Sequence, residues 1–274
     1  MPKNLRITIV QSPLHWEQPV KNLTQFSSQL SSLKKNDTDV IVLPEMFNTS
    51  FSMNASALAE QPGGNTMKWM EEIAKALKSV VCGSIIIIEK NKFYNRFIWM
   101  NPDGSYEQYD KRHLFRMGKE DQIFSVGTKR LIINYKGWNI CPLVCYDLRF
   151  PVWSRNRLYT DNSALKHSVA SHDYDLLLYV ANWPTVRSYA WKQLLIARAI
   201  ENQSYVVAVN RIGKDGHGIE HSGHSVVLNP LGQTLSNIKA NKKQIETVEL
   251  PYLELLKLRT DFPVMHDADT FILS

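Results

Sequence analysis

Cysteine is scarce in this chain, and what there is does not pair. Its 274 residues hold three, Cys82, Cys141 and Cys145, an odd number with no C-x-x-C spacing. Neither a disulfide framework nor a zinc ribbon is expected, and reduced thiols in a cytoplasmic setting fit better. Long apolar runs are missing as well: no stretch approaches the roughly 18 residues needed to span a bilayer. Met1-Pro2-Lys3-Asn4 leads straight into a strand pattern without a signal-peptide core, so no membrane association is expected. There is no internal repeat and no low-complexity linker. The formal net charge is +6, but the basic residues are scattered and the densest group, Lys239 to Lys243, is short. That pattern predicts a solvated surface rather than a nucleic-acid partner, and leaves small anionic substrates compatible.

What the chain does contain is strand and helix patterning along almost its whole length. Leu5 to Val10 alternates as a first strand, and Val20, Leu23, Phe26, Leu30 and Leu33 recur at helical spacing. Asp39 to Pro44 is a short apolar run of the kind buried on both faces of a sheet. A second helical face passes through Met67, Met70, Ile73 and Leu77. Strands are then predicted at 79–89 and 93–100, closed by the turn Asn101-Pro102-Asp103-Gly104. Further strands are expected at 131–135, 138–144, 176–181, 205–210, 225–228 and 245–250, with a helix over 187–203. Mixing βα units with hairpins predicts an α/β fold of two packed sheets flanked by helices. One domain over 1–274 is expected, with a surface insertion at 157–172 and a C-terminal tail from about 251.

Three positions could carry chemistry. Cys145 ends the apolar run Ile140 to Val144, where a strand tip would present a nucleophile, although a small buried filler has the same look. Glu45 follows a buried strand, where desolvation favours a general base, and a solvent-exposed strand end is its plainer reading. Lys111 follows a hairpin strand; such a cation is ordinary surface unless it faces a thiol or a developing oxyanion. His217-Gly218-Ile219-Glu220-His221 matches the H-x-x-E-H pattern of one zinc peptidase class. Gly213, Gly216, Gly218 and Gly223 flank or interrupt it, each costing about 1 kcal/mol in a helix, so a glycine-rich connection is predicted and no metal site.

Read together, Leu43-Pro44-Glu45-Met46-Phe47, Tyr109-Asp110-Lys111-Arg112-His113-Leu114-Phe115 and Leu143-Val144-Cys145-Tyr146-Asp147-Leu148-Arg149-Phe150-Pro151 make the chain resemble the nitrilase superfamily. The likeness continues through Tyr179 to Pro184, Arg198 to Gln203 and Asn229 to Gly232. It implies a four-layer α-β-β-α sandwich and a Glu-Lys-Cys triad: Glu45 as general base, Lys111 near the oxyanion, Cys145 as nucleophile. A second glutamate is matched by Glu120, seven residues before Gly127. The resemblance implies attack on an amide carbon through a thioester, with the Tyr146 backbone N–H helping Lys111 at the oxyanion and no cofactor or metal. It also implies a homo-oligomer, most simply a dimer, with the helix at 187–203 near the contact.

Within the superfamily, Cys145 to Asn156 and Asn182-Trp183-Pro184 resemble the bacterial omega-amidases, which hydrolyse the terminal amide of small 2-oxo acids such as 2-oxoglutaramate or 2-oxosuccinamate. Such an enzyme must hold a distal carboxylate. Arg187 is the candidate, because a guanidinium pairs carboxylates in two-pronged fashion, and Arg149 is its rival unless it pairs with Asp147 instead. Trp183 is a candidate pocket wall as well as a core residue. An N-carbamoyl amino-acid hydrolase or another small-amide hydrolase is the alternative within the fold. A non-catalytic binding protein and a zinc peptidase are the alternatives outside it.

Overall fold

A computed structural model of the chain describes residues 2–159 and 171–269. The first alternating segment is β1 (Leu5–Gln11), and Pro19, whose fixed φ suits a first helical position, opens α1 (Pro19–Leu30). There follow β2 (Val40–Val42), α2 (Ala55–Leu58), α3 (Asn65–Leu77), β3 (Val80–Glu89), β4 (Lys92–Met100), β5 (Tyr106–Asp110) and α4 (Glu120–Ile123). The chain continues through β6 (Ile133–Tyr135), β7 (Trp138–Val144), α5 (Pro151–Ser154), β8 (Leu158–Tyr159), β9 (Ser171–His172), β10 (Leu176–Ala181), α6 (Ser188–Asn202) and β11 (Tyr205–Asn210). It closes with β12 (Ile212–Lys214), β13 (Glu220–Ser222), β14 (Val226–Leu228), β15 (Gln244–Leu250) and α7 (Tyr252–Asp261).

Two sheets organise these strands, in the orders β15-β1-β2-β3-β4-β5 and β14-β11-β10-β7-β6. Each has a parallel centre, β1-β2-β3 in one and β7-β10-β11 in the other, with antiparallel strands outside it. Side chains alternate across the first sheet. Ile7, Ile9, Val40, Val42, Val80, Cys82, Phe97 and Trp99 point to the second sheet and share its core with Leu143, Val144 and Leu176 to Ala181. Val10, Ile41, Leu43, Val81, Ile85 and Ile98 face the other way, onto Phe26 and Leu30 of α1 and Met67, Met70 and Ala74 of α3. Both faces are therefore buried, which is why β2 reads as an unbroken apolar run. Trp191, Leu195 and Ala199 of α6 and Leu255 of α7 join the second sheet's core, completing the α-β-β-α layering.

Three segments differ from or add to the sequence expectation. The stretch 211–225, predicted as a glycine-rich connection, is largely the β12–β13 hairpin. Gly213 and Gly218 take φ of +82° and +76° there, and Asp215 closes the tip by accepting the N–H groups of His217 (2.8 Å) and Ile219 (3.0 Å). The glycines that disfavour a helix are those a tight hairpin uses. The ends of the expected insertion pair as β8 and β9, while 160–170 lie outside the described residues. The segment from about 251 holds α7, whose Arg259 pairs with Asp175 at 2.7 Å and donates to the carbonyls of Tyr174 and Gln203.

Candidate active site

The C-terminal ends of β2, β7 and β10 meet at one edge of the sandwich, the end of parallel strands where ligands bind in open α/β sheets. The first sheet brings a charged cluster there. Glu45, three residues past β2, is fully buried, and Lys111, directly after β5, is 1% exposed. The ammonium of Lys111 lies 2.8 Å from Glu45 Oε1 and 2.9 and 3.0 Å from the two oxygens of Glu120, itself fully buried at the start of α4. Its backbone is fixed as well: the Lys111 N–H donates to the Asn95 carbonyl (3.0 Å), and the Lys111 carbonyl accepts from Gly127 (2.9 Å). A side chain at Gly127 would place a Cβ 1.8 Å from the Asp110 carbonyl oxygen, so only glycine lets this segment approach.

Proton positions follow from the partners. Glu45 Oε1 accepts from Lys111 and from Asn95 Nδ2 (2.9 Å), and Oε2 accepts from the Asn182 backbone N–H (2.8 Å). Glu120 Oε1 accepts from Lys111 and Asn95 (3.0 Å), and Oε2 from Lys111 and the Phe115 N–H (2.6 Å). Burial pushes Glu120 up, with Lys111 pulling it back and Glu45 pushing it further. Every one of these contacts is a donor, so a proton on Glu120 would have nothing to bond, and the site holds it as a carboxylate. Burial alone would lower Lys111, but the carboxylates of Glu120 and Glu45 outweigh it and hold the ammonium above its ordinary value.

The second sheet brings the thiol. Cys145 is half-buried, unlike the buried Cys82 and Cys141, and it has φ +45° where β7 passes into a 3-10 turn, Cys145–Arg149. A non-glycine residue in the left-handed region costs on the order of 1–2 kcal/mol, tolerated only where the surroundings over-determine it. Burial raises the thiol well above its ordinary pKa, the Glu45 carboxylate raises it further, and Lys111 opposes both. The thiol is thus neutral at rest and lies beside the buried Glu45 carboxyl group. Cys141, four residues earlier, packs in the core with its thiol pushed up to about 12 by burial.

A cavity of about 490 Å³ opens over the sulfur, with Lys111, Tyr146, Arg149, Asn182, Trp183 and Arg187 among its lining residues. Of the predicted site residues, Lys111, Cys145, Tyr146, Trp183 and Arg187 line this cavity, whereas Glu45 and Glu120 do not line it and instead hold the Lys111 ammonium. Trp183 satisfies both of its readings, lining the cavity while 4% exposed in the core. Its ring lies beneath the Arg149 guanidinium at 5.1 Å, and the Phe115 ring carries Arg187 at 5.4 Å. Arg149 does not pair with Asp147, whose oxygens are taken by Tyr109, Val144 and His113. His217 and His221 also line the cavity from the hairpin, so the H-x-x-E-H segment lacks the single helical face its zinc reading requires.

Two residues of the cluster escaped the sequence reading. Asn95 bridges both carboxylates from the middle of an apolar and aromatic strand, where a lone buried amide is a signal in itself. Asn182 follows β10 directly, the same strand-end position as Cys145 after β7; its Nδ2 donates to the Glu45 carbonyl at 2.5 Å.

Residues 6–257 match the carbon-nitrogen hydrolase family. The chain is 43% identical over 269 residues to Omega-amidase YafV of Escherichia coli (strain K12), covering 97% of this chain and 98% of that protein. It is 30% identical over 264 residues to the 2-oxoglutaramate amidase of Bacillus subtilis (strain 168), covering 95% and 96%. Among solved structures it superimposes on XC1258 of Xanthomonas campestris, a CN-hydrolase superfamily protein with an arsenic adduct in its active site. The TM-score is 0.93 at 41% identity, with 99% of both chains covered.

Proposed function

The chain belongs to the carbon-nitrogen hydrolase family, and we propose that within it this protein is an omega-amidase. It hydrolyses the terminal amide of 2-oxoglutaramate or 2-oxosuccinamate to the dicarboxylate and ammonia. The observation that carries the substrate class is the pair of guanidinium groups in the cavity. Arg149 and Arg187 are held on aromatic faces, and neither has an acidic partner among the described residues. Unpaired guanidinium groups facing a reacting thiol suit a substrate with an amide at one end and a carboxylate at the other. The names of the E. coli and B. subtilis relatives support the same choice.

The chemistry balances with the chain's own groups. Glu45 takes the thiol proton as Cys145 Sγ bonds to the amide carbon, and the oxyanion is met by Lys111 and the Tyr146 backbone N–H. Protonated Glu45 gives its proton to the departing nitrogen, and ammonia leaves as the C–N bond breaks. Water then attacks the thioester, losing a proton to Glu45, and the carboxylic acid departs with the thiol restored. Arg187 pairs with the distal carboxylate and Trp183 walls the path to it.

A homodimer accompanies this reading: Val186, in the 3-10 turn Thr185–Arg187 before α6, and Tyr189, in the first turn of α6, are 80% and 75% exposed and offer an apolar surface for a second copy. The described residues include no helix long and apolar enough to cross a membrane, and three free thiols suit the cytoplasm.

The test is a panel of 2-oxoglutaramate, 2-oxosuccinamate, neutral amides and N-carbamoyl amino acids, assayed for ammonia. The 2-oxo acid amides should exceed the others in kcat/KM, and Arg187→Met should raise KM for them about tenfold with kcat little changed. Faster turnover of a carbamoyl compound would replace the reading with the N-carbamoyl hydrolase one.

A further inference from the structure

The two halves of the site stand on different sheets, so some structure must fix the distance between them. Asn182 does this on one side, through Glu45. On the other side lies a second buried carboxylate that the proposed chemistry does not use. Asp147 is fully buried two residues past the nucleophile. Its Oδ2 accepts from the Val144 N–H (2.9 Å), immediately before Cys145, and from the Tyr109 hydroxyl (2.8 Å) of β5. Its Oδ1 accepts from the His113 N–H (3.0 Å) and lies 2.7 Å from His113 Nδ1, which must donate to a carboxylate. Tyr109 Oη in turn accepts from the Arg112 N–H (3.1 Å) and Trp153 Nε1 (3.1 Å). The bonded positions in β5 and the segment after it, 109, 112 and 113, bracket Lys111, and the one on the second sheet, 144, adjoins the strained Cys145.

We propose that Asp147 and His113 form a positioning pair that sets the Lys111 segment against the Cys145 turn. The pair touches no reacting atom. All four acceptor directions of the carboxylate are occupied by donors from the two elements that must meet, which fixes both their separation and their relative orientation. His113 is locked in turn by stacking on Phe150 at 3.8 Å and 6°, so its Nδ1–H cannot swing away.

Because Asp147→Asn would leave buried donors opposed and could unfold the chain, the test uses His113 and Tyr109. His113→Phe keeps a ring for Phe150 and loses the donor; His113→Asn keeps a donor near Nδ1 and loses the stack; Tyr109→Phe removes one hydroxyl. Steady-state kinetics on 2-oxoglutaramate would be paired with the rate at which iodoacetamide alkylates Cys145. The second readout needs no substrate, so it stands if the omega-amidase reading fails. His113→Phe and Tyr109→Phe should each lower kcat by about tenfold or more with KM within about threefold, and slow alkylation similarly. His113→Asn should return both to within about threefold of the parent. A kcat within twofold of the parent in His113→Phe, whatever happens to Tm, overturns the proposal. So does a change confined to KM, or a His113→Asn variant as impaired as His113→Phe.

Discussion

The two sheets contribute unlike things to the same site. The first supplies charge: Glu45, Lys111 and Glu120 are 0–1% exposed, and Asn95 donates to both carboxylates. The second supplies one half-buried thiol on a backbone turn held at φ +45°. A buried ion cluster is tolerable only while each member keeps its partners, so the first sheet's half is structural and chemical at once. The Cys145 side chain on the second sheet is a half-buried thiol that belongs to no such ion cluster. On the proposed mechanism, acid-base chemistry and nucleophilic attack can therefore be damaged separately, and the damage should differ in kind.

Cys145→Ala should abolish turnover while leaving stability to denaturant within about 1 kcal/mol of the parent, because only a strained, half-buried side chain is lost. Lys111→Met should also lower kcat by about a hundredfold or more. Unlike the cysteine change, it should cost about 3–5 kcal/mol in denaturant unfolding, since Glu45 and Glu120 are left buried without their cation. Equal stability of the two variants would erase the contrast between the sheets. Retained turnover in Cys145→Ala would end the mechanism.

A smaller effect is expected at the junction. Asn182→Ala removes the side-chain bond to the Glu45 carbonyl but keeps the backbone N–H on Glu45 Oε2. It should lower kcat by about tenfold and leave KM nearly unchanged; an unchanged kcat would make Asn182 a spectator to the alignment.

A separate effect, away from the catalytic contrast, concerns stability and pH. His221, 3% exposed on β13, is pushed down to about 4 by burial and by Arg211. Its folded pKa lies below the unfolded one, so between the two the unfolded chain binds more protons and acid destabilises the fold. About 3 kcal/mol should be lost as pH falls from 6.5 to 4. His221→Asn should flatten that limb of the Tm profile, and an unaltered limb would remove the buried imidazole as its cause.

How much of this was legible in the sequence depends on whether a feature is local. The bounds of β7, β10 and β11 follow from apolar runs because parallel strands buried on both faces leave no polar alternation to confuse them. The β12–β13 hairpin was hidden because glycine speaks against a helix without announcing a turn. Glu45, Lys111 and Cys145 stood out through motifs at strand ends. Asn95, Asn182 and Asp147 did not, because each owes its role to partners far along the chain: Asn182 to Glu45, 137 residues away, and Asp147 to His113, 34 residues away.

The central claim is that the thiol on the second sheet becomes covalently acylated while the first sheet moves the protons. Rapid quenching in acid of the enzyme turning over 2-oxoglutaramate, followed by peptide mass spectrometry, tests it most directly. The account predicts a 2-oxoglutaryl adduct on the Cys145 peptide that appears before steady state and is absent from Cys145→Ala. Ammonia release with no adduct at Cys145, or with the adduct on another residue, would contradict it.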